Sequence, residues 1–290
     1  MKIGFIGFGE VGYEMSKGFQ HLGSELQLFA FDQQHNEPGM IQRAEETRVA
    51  LLDSPLKVAE QNLAILFVAV PAQYADSAWD SVFPAVNNET LYVDLTTASA
   101  NIKQNISERL ASTQSLFVDA AIMGPLKGNQ HKVPMIVSGP AAQAFIRQGK
   151  QLEMNLEYVS ETAGDATNIK FIRSIFTKGL STLLHEVMEV AEKLDLDETT
   201  TASITNTIDK EPFENVINRL ITGNVLHAER RVKEMDNVIE FLNENKVDTL
   251  MTKATRDKLQ LLTDSKIKEQ FGGEAPQTWK QVMEKINHSD

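Results

Sequence analysis

Gly7-Phe8-Gly9-Glu10-Val11-Gly12 and Asp32 are the residues whose types and spacing carry the clearest chemistry. The glycines follow the apolar run Ile3 to Ile6 and open a helix-like segment. A second apolar run, Leu26 to Phe31, ends at Asp32, 20 residues past Gly12. This is G-x-G-x-x-G in a strand–turn–helix setting with an acid in register. Gly7 allows the tight turn, Gly9 lets the backbone approach a pyrophosphate, and Gly12 lets the helix pack close to the strand. The helix N-terminus offers N–H groups and a partial positive charge to phosphates. Asp32 can accept hydrogen bonds from a ribose 2′-OH. The pattern predicts a dinucleotide site made by residues 7–12 and Asp32; glycines serving only a tight βα turn would look the same locally. Asp32 would repel a 2′-phosphate, and Gln33 and Gln34 bring no cation. NAD is therefore expected, with NADP as the alternative if His35 or Arg43 folds back.

A single lysine is the second feature. Lys170 lies one turn into a helical segment whose neighbours Ile169 and Ile172 belong to an apolar stripe. At a domain boundary, partial desolvation would favour its neutral amine. Such a lysine can take the proton of a hydroxyl as hydride leaves the same carbon. On the residues alone, a lysine snorkelling beside an apolar stripe is the better reading.

The elements that must position these groups follow from periodicity. Short apolar runs predict strands at Lys2–Ile6, Leu26–Phe31, Arg48–Leu51, Ala64–Val70, Leu91–Asp94, Leu116–Ala120, Met135–Ser138 and Glu157–Val159. Helical stretches lie between most of them, including Val11–Leu22, Ala100–Ala111 and Ala141–Met154. Strands alternating with helices predict an α/β fold, a doubly wound Rossmann sheet. The character changes near Thr162, and Thr162-x-x-Asp165 reads as a capping-box variant. Ile169, Ile172, Phe176, Leu180, Leu183, Val187, Val190 and Leu194 then recur at helical spacing. Gly164 to Asp195 would span roughly 48 Å, too long for one small domain to cover. Phe213–Asn243 and Asp248–Leu262 are helical in pattern, and a final helix carries Trp279, Val282, Met283 and Ile286. Thr199–Thr207 reads as a weak helix or a loop. The expected domains are 1–161, nucleotide-binding, and 162–290, all-α, joined by the long interdomain helix. The continuous stripe predicts a homodimer sharing that helix.

Composition narrows the function classes. The 290-residue chain has no cysteine, which removes disulfides, thiolate catalysis and cysteine–zinc sites and fits a reducing cytoplasm. Met1-Lys2-Ile3 opens like a signal peptide, but Glu10 and the glycines interrupt it early. No apolar run reaches membrane-spanning length. The net charge of −12 argues against a broad nucleic-acid surface, though not against a small anionic ligand in a cleft. His185 and Glu189 share a helix face without a third ligand, so no metal is expected. Arg230 and Arg231 are candidate anion contacts.

Four places in order make the chain resemble the β-hydroxyacid dehydrogenases, the group of 3-hydroxyisobutyrate and 6-phosphogluconate dehydrogenases. They are Gly7–Gly12; Val68-Ala69-Val70-Pro71 with Asp94-Leu95-Thr96-Thr97; Asp119 to Gly124 with Lys127-Gly128; and Gly164-x5-Lys170. The stretch Lys170–Gly179 and His227-Ala-Glu-Arg-Arg look like a less characterised, phosphogluconate-dehydrogenase-like bacterial branch. The resemblance implies Lys170 as the catalytic acid/base, and Val70, Thr96 and Lys233 beside the cofactor. It implies Met123, Gly124, Arg173 and Ser174 around the substrate. Thr96 also reads as part of a strand-end cap, Lys233 as a solvated helix charge, and Arg173 as an exposed helix arginine. Met123 stands where the family usually has serine, and Ser174 where it usually has asparagine, so the hydride chemistry carries over better than the substrate. The expected function is an NAD(P)-dependent dehydrogenase acting on the CH–OH group of a small anionic hydroxy acid. Alternatives are an imine reductase-like enzyme, a class that typically lacks the lysine, and a non-catalytic NAD(P)-binding sensor.

Overall fold

The computed structural model describes residues 1–23 and 25–287. Each apolar run of the first half becomes a strand: β1 Lys2–Ile6, β2 Gln27–Phe31, β3 Val49–Leu51, β4 Ile65–Val68, β5 Leu91–Asp94, β6 Leu116–Ile122, β7 Met135–Ser138 and β8 Leu156–Ser160. The run Ala64–Val70 yields a shorter strand. The chain leaves the sheet before Pro71, which has no N–H for a ladder. The strands form one sheet in the order β3-β2-β1-β4-β5-β6-β7-β8. Neighbours are parallel except β6 and β7, which are antiparallel. The connections run outward from β1 in both directions. The strand order therefore reverses beside β1, where open α/β sheets bind ligands at their carboxyl ends.

Period-2 alternation divides the buried side chains between the sheet's two faces. Ile3, Phe5, Ile65, Phe67, Leu91 and Val93 belong to one core layer, and Ile6, Leu66, Val68 and Tyr92 to the other. Helices α1 Glu10–Phe19, α2 Pro38–Thr47, α3 Pro55–Ala59, α4 Ala75–Val82, α5 Ala100–Ala111 and α6 Ala142–Gln151 connect the strands.

The chain divides into two compact units, Met1–Ser174 and Ile175–Asp290. The division falls inside α7, Asp165–Lys193, whose first turns are tied to the sheet. Thr162 does not cap this helix. The Ala166 N–H donates to Ser138 Oγ at 3.0 Å and the Thr167 N–H to Asp119 Oδ2 at 3.0 Å. Asp165 is taken by the Ser160 hydroxyl at 2.6 Å. A hydroxyl delivered by β7 and a carboxylate delivered by β6 thus satisfy orphan donors that the local pattern assigned to Thr162.

The second unit is helical: α8 Asp197–Ile208, α9 Phe213–Glu244, α10 Leu250–Asp264, α11 Ile267–Gln270 and α12 Trp279–Asn287. The threonine-rich stretch forms α8, a helix with no buried residue. Val225, Ile267 and Val282 form one small core, and Ala228, Val232 and Leu259 another. Glu186 of α7 is buried and caps α10, accepting the N–H of Met251 at 2.9 Å and of Thr252 at 3.0 Å. Among the described residues no helix is long and apolar enough to cross a membrane.

Candidate functional site

The glycine loop has the geometry its spacing predicts. Gly7 has φ +92°, and a Cβ there would lie 2.5 Å from Ala69 O. A Cβ at Gly12 would lie 2.8 Å from Gly7 O, so strand and helix meet at backbone contact. A Cβ at Gly9 would have no neighbour within 4 Å; it would enter open space beside the helix N-terminus. No side chain caps α1, whose first turn carries Glu10, Val11 and Gly12. Phe8 sends its ring into the core, and its N–H donates to Asp32 Oδ2 at 2.8 Å. Asp32 Oδ1 accepts the Gln34 N–H at 3.0 Å. Both carboxylate oxygens keep acceptor capacity for ribose hydroxyls.

These groups meet around one cleft of about 540 Å³, lined by Gly7, Gly9, Asp32, Val70, Pro71 and Tyr74 among others. It lies at the carboxyl ends of β1, β2 and β4, beside the reversal of strand order. The residues fit a dinucleotide: a glycine cradle, an uncapped helix N-terminus and an acid near the ribose position. Tyr74, half-exposed at the cleft, lay outside the glycine motif and carries no spacing signal of its own. Of the two cations that could reverse the charge logic, Arg43 is engaged elsewhere and His35 stays beside Asp32. Arg43 lies 5.5 Å from the Tyr13 ring, and His35 packs on Phe31 with Nδ1 3.0 Å from Asp32 O.

A second constellation surrounds the carboxyl end of β6. Thr167, Lys170 and Arg173 recur every third residue on α7, one helix face. The Thr167 hydroxyl donates to Asp119 Oδ1 at 2.8 Å, and Arg173 Nη1 donates to Met123 O at 3.3 Å. Lys170, half-buried, is bracketed by these anchors. Met123, Gly124 and Ser174 are half-buried in the same region.

Sequence reasoning missed the group that holds this region together. Lys103 is fully buried, 2.7 Å from Asp94 Oδ1 and 3.2 Å from Asp119 Oδ1. It also donates to Thr96 O at 2.9 Å. Asp94 accepts the Trp79 indole N–H at 2.7 Å and the Thr96 N–H at 2.7 Å. The Thr96 hydroxyl accepts the Ala98 N–H at 3.3 Å and is buried, while Ser99 makes no capping bond to α5. A signal for Lys103 existed: with Ile106 and Leu110 it occupies the helix positions that α5 buries.

Lys233 stands on the second unit, exposed, 3.8 Å from Glu229. Arg230 lies 3.5 Å from Glu234. Glu189 pairs with Lys193 at 3.0 Å, and among the described residues no three His, Asp or Glu side chains converge on a metal position.

Residues 2–154 match the family described as the NAD binding domain of 6-phosphogluconate dehydrogenase, and residues 191–262 a domain of unknown function, DUF1932. An uncharacterized 28.5 kDa protein in the 7S RNA 5′ region of Methanothermus fervidus is 27% identical over 263 residues, covering 89% of this chain and 97% of that one. Conserved protein MTH1747, reported to be structurally similar to 3-hydroxyacid dehydrogenases, is 29% identical with a TM-score of 0.61, covering 91% of this chain and 97% of that one. An imine reductase from Myxococcus stipitatus in complex with NADP+ has a TM-score of 0.71 at 15% identity, covering 91% of this chain and 95% of that one. The fold is thus that of an NAD(P)-binding dehydrogenase.

Proposed function

This chain belongs to the family of the NAD binding domain of 6-phosphogluconate dehydrogenase, and from that premise we propose an NAD(P)-dependent oxidoreductase. Its substrate is a small anionic hydroxy acid, and Lys170 is its general acid/base. The observation that carries this reading is the bracketing of Lys170 between Thr167, bonded to Asp119 within β6, and Arg173, bonded to Met123 O just past that strand. Ligands of such sheets bind beyond the carboxyl ends of the strands. Bound NAD(P) supplies the hydride acceptor or donor. In oxidation Lys170 accepts the hydroxyl proton at Nζ; in reduction it returns the proton to the carbonyl oxygen. Arg173 offers its planar fork to the substrate carboxylate. Met123 puts an apolar side chain beside it and donates nothing.

NAD is the cofactor we assign, on the placement of Asp32 in the cleft and of Arg43 on Tyr13. The active form we propose is a homodimer. Ile172, Ile175 and Phe176 of α7 are 66%, 77% and 49% exposed in the single chain, an apolar run of the kind a second copy buries. With no cysteine, the setting we assign is the cytoplasm.

The test is a panel of small hydroxy acids and cyclic imines followed at the nicotinamide absorbance band with both cofactors. Oxidation of a hydroxy acid supports the reading. Turnover of imines alone gives the second reading, which the fold shared with imine reductases favours. Tight nucleotide binding without turnover of either class points to a sensor.

A further inference from the structure

The second unit holds a cleft of about 560 Å³ between α9 and α10, well inside the size range of small-molecule sites. Its apolar floor is continuous with a core: Leu259 is buried, and Met235 and Leu262 pack against the same cluster. Two cations stand over that floor, Arg231 from α9 and Lys258 from α10.

The charge balance of Arg231 sets it apart from the other arginines of the unit. The unit has four arginines, Arg219, Arg230, Arg231 and Arg256. Arg219 pairs with Glu211 at 2.8 Å, Arg230 with Glu234 at 3.5 Å and Arg256 with Asp236 at 3.0 Å. Among the described residues, neither Arg231 nor Lys258 has a carboxylate within 4 Å. Glu234, the acid of the cleft, is the one turned to Arg230. Among the described residues Arg231 is the arginine of this unit that lacks such a partner, while Lys258 shares that state with other lysines of the unit, such as Lys210 and Lys253. The Arg231 guanidinium is also positioned. It donates to Asn224 Oδ1 and lies back along α9 over Gly223, where an added Cβ would be 3.4 Å from Nη2. An acceptor amide orients the fork without neutralising it, so the charge still wants an anion.

We propose that this cleft binds a small amphiphilic anion, with its carboxylate or phosphate on Arg231 and Lys258 and its apolar body on Met235, Leu259 and Leu262. The site lies within residues 191–262, the segment that matches the domain of unknown function. It uses no residue of the nucleotide cleft, so it stands or falls separately from the proposed oxidoreductase activity.

Calorimetry on the full chain tests it with octanoate and octyl phosphate as the two head groups, and octanol and inorganic phosphate as the half-ligands. Octanoate or octyl phosphate should bind at least about tenfold more tightly than either half-ligand, and the tighter of the two identifies the head group. Arg231→Met with Lys258→Met should weaken that binding at least about tenfold, while Lys253→Met, at an exposed lysine of α10 outside the cleft, leaves it within about twofold. If the double variant melts early, Lys258→Met alone serves, because Lys258 is exposed and its removal opens no core. Equal affinity for octanol and octanoate, binding indifferent to Arg231 and Lys258, or no heat from any probe would overturn the proposal.

Discussion

The Thr167 hydroxyl donates to the Asp119 carboxylate at 2.8 Å, a contact across 48 residues of sequence that anchors the first turn of α7 to β6. The same carboxylate accepts the Thr167 N–H and faces the Lys103 ammonium. Asp94, the last residue of β5, and Asp119, in the middle of β6, are register partners. One lysine and one helix N-terminus therefore compensate two buried negative charges.

Lys103→Met should be the most destabilising of the conservative-volume changes in this region. It removes the cation and leaves Asp94 and Asp119 buried side by side. Breaking a buried pair by removing one partner costs about 3–5 kcal/mol. Urea denaturation should show a lower midpoint with an unchanged slope, and the loss should shrink when Asp119→Asn is added. A Lys103→Met chain as stable as the parent would show that the network contributes no net stability.

How much of this was readable beforehand depends on whether the signal was local. The glycine loop and Asp32 were readable because a βα turn, a backbone approach and a following acid lie within one short stretch. The eight strands were readable because burial on both faces leaves uninterrupted apolar runs. Lys103 was not, because a lysine in a helix reads as a solvent-facing residue until its neighbours place it on the buried face. The start of α7 was misassigned to a local Thr162 cap because the true acceptors, Ser138 and Asp119, come from distant strands. The exposed stripe of α7 was visible as a pattern, but a pattern does not say what covers it.

Gly9→Val should abolish nucleotide binding and leave the fold intact. A side chain at Gly9 meets no protein atom and projects where a pyrophosphate must approach. Gly12→Val should behave differently and destabilise the first unit, since its Cβ would press on Gly7 O at 2.8 Å. Calorimetry with NAD and a thermal melt separate the two. Unchanged NAD affinity in Gly9→Val would remove the dinucleotide assignment.

Asp32 should set cofactor choice. Its carboxylate lies in the cleft, and a 2′-phosphate there would meet like charge. The ratio of kcat/KM for NAD over NADP should exceed about tenfold and should fall in Asp32→Ser. Comparable values for both cofactors in the parent chain would mean that another group reads the ribose.

His131 should make the first unit acid-sensitive. Its ring is buried against Phe19 at 5.1 Å, and neither ring nitrogen has a hydrogen-bond partner. Burial holds its pKa below the ordinary 6.5; Lys132 and His21 push the same way, and Glu153 opposes them. Below that ordinary value the unfolded chain binds a proton that the folded chain resists. This contribution to stability is therefore fully present above about pH 6.5 and is lost as pH falls toward the lower folded value. His131→Phe should flatten the fall in urea midpoint between about pH 7.5 and pH 5.5. An identical pH profile in the variant would assign the acid sensitivity to other groups.

Lys170 should carry turnover and not nucleotide affinity. It stands on α7 between the two anchors to β6, and the glycine cradle is built from other elements. General acid/base assistance contributes about 10²–10⁴-fold. Lys170→Ala should lower kcat by about that factor on whichever substrate the panel identifies, with the NAD dissociation constant within a few-fold. Lys170→Arg should not restore the rate, because a guanidinium stays protonated at working pH and cannot accept the hydroxyl proton. The pH–rate profile adds a readout that a purely structural lysine would not move: the limb that reports the base should vanish in Lys170→Ala. Near-parental kcat in that variant would remove Lys170 from the chemistry. Proton transfer would then fall to another group, and the imine and sensor readings would gain.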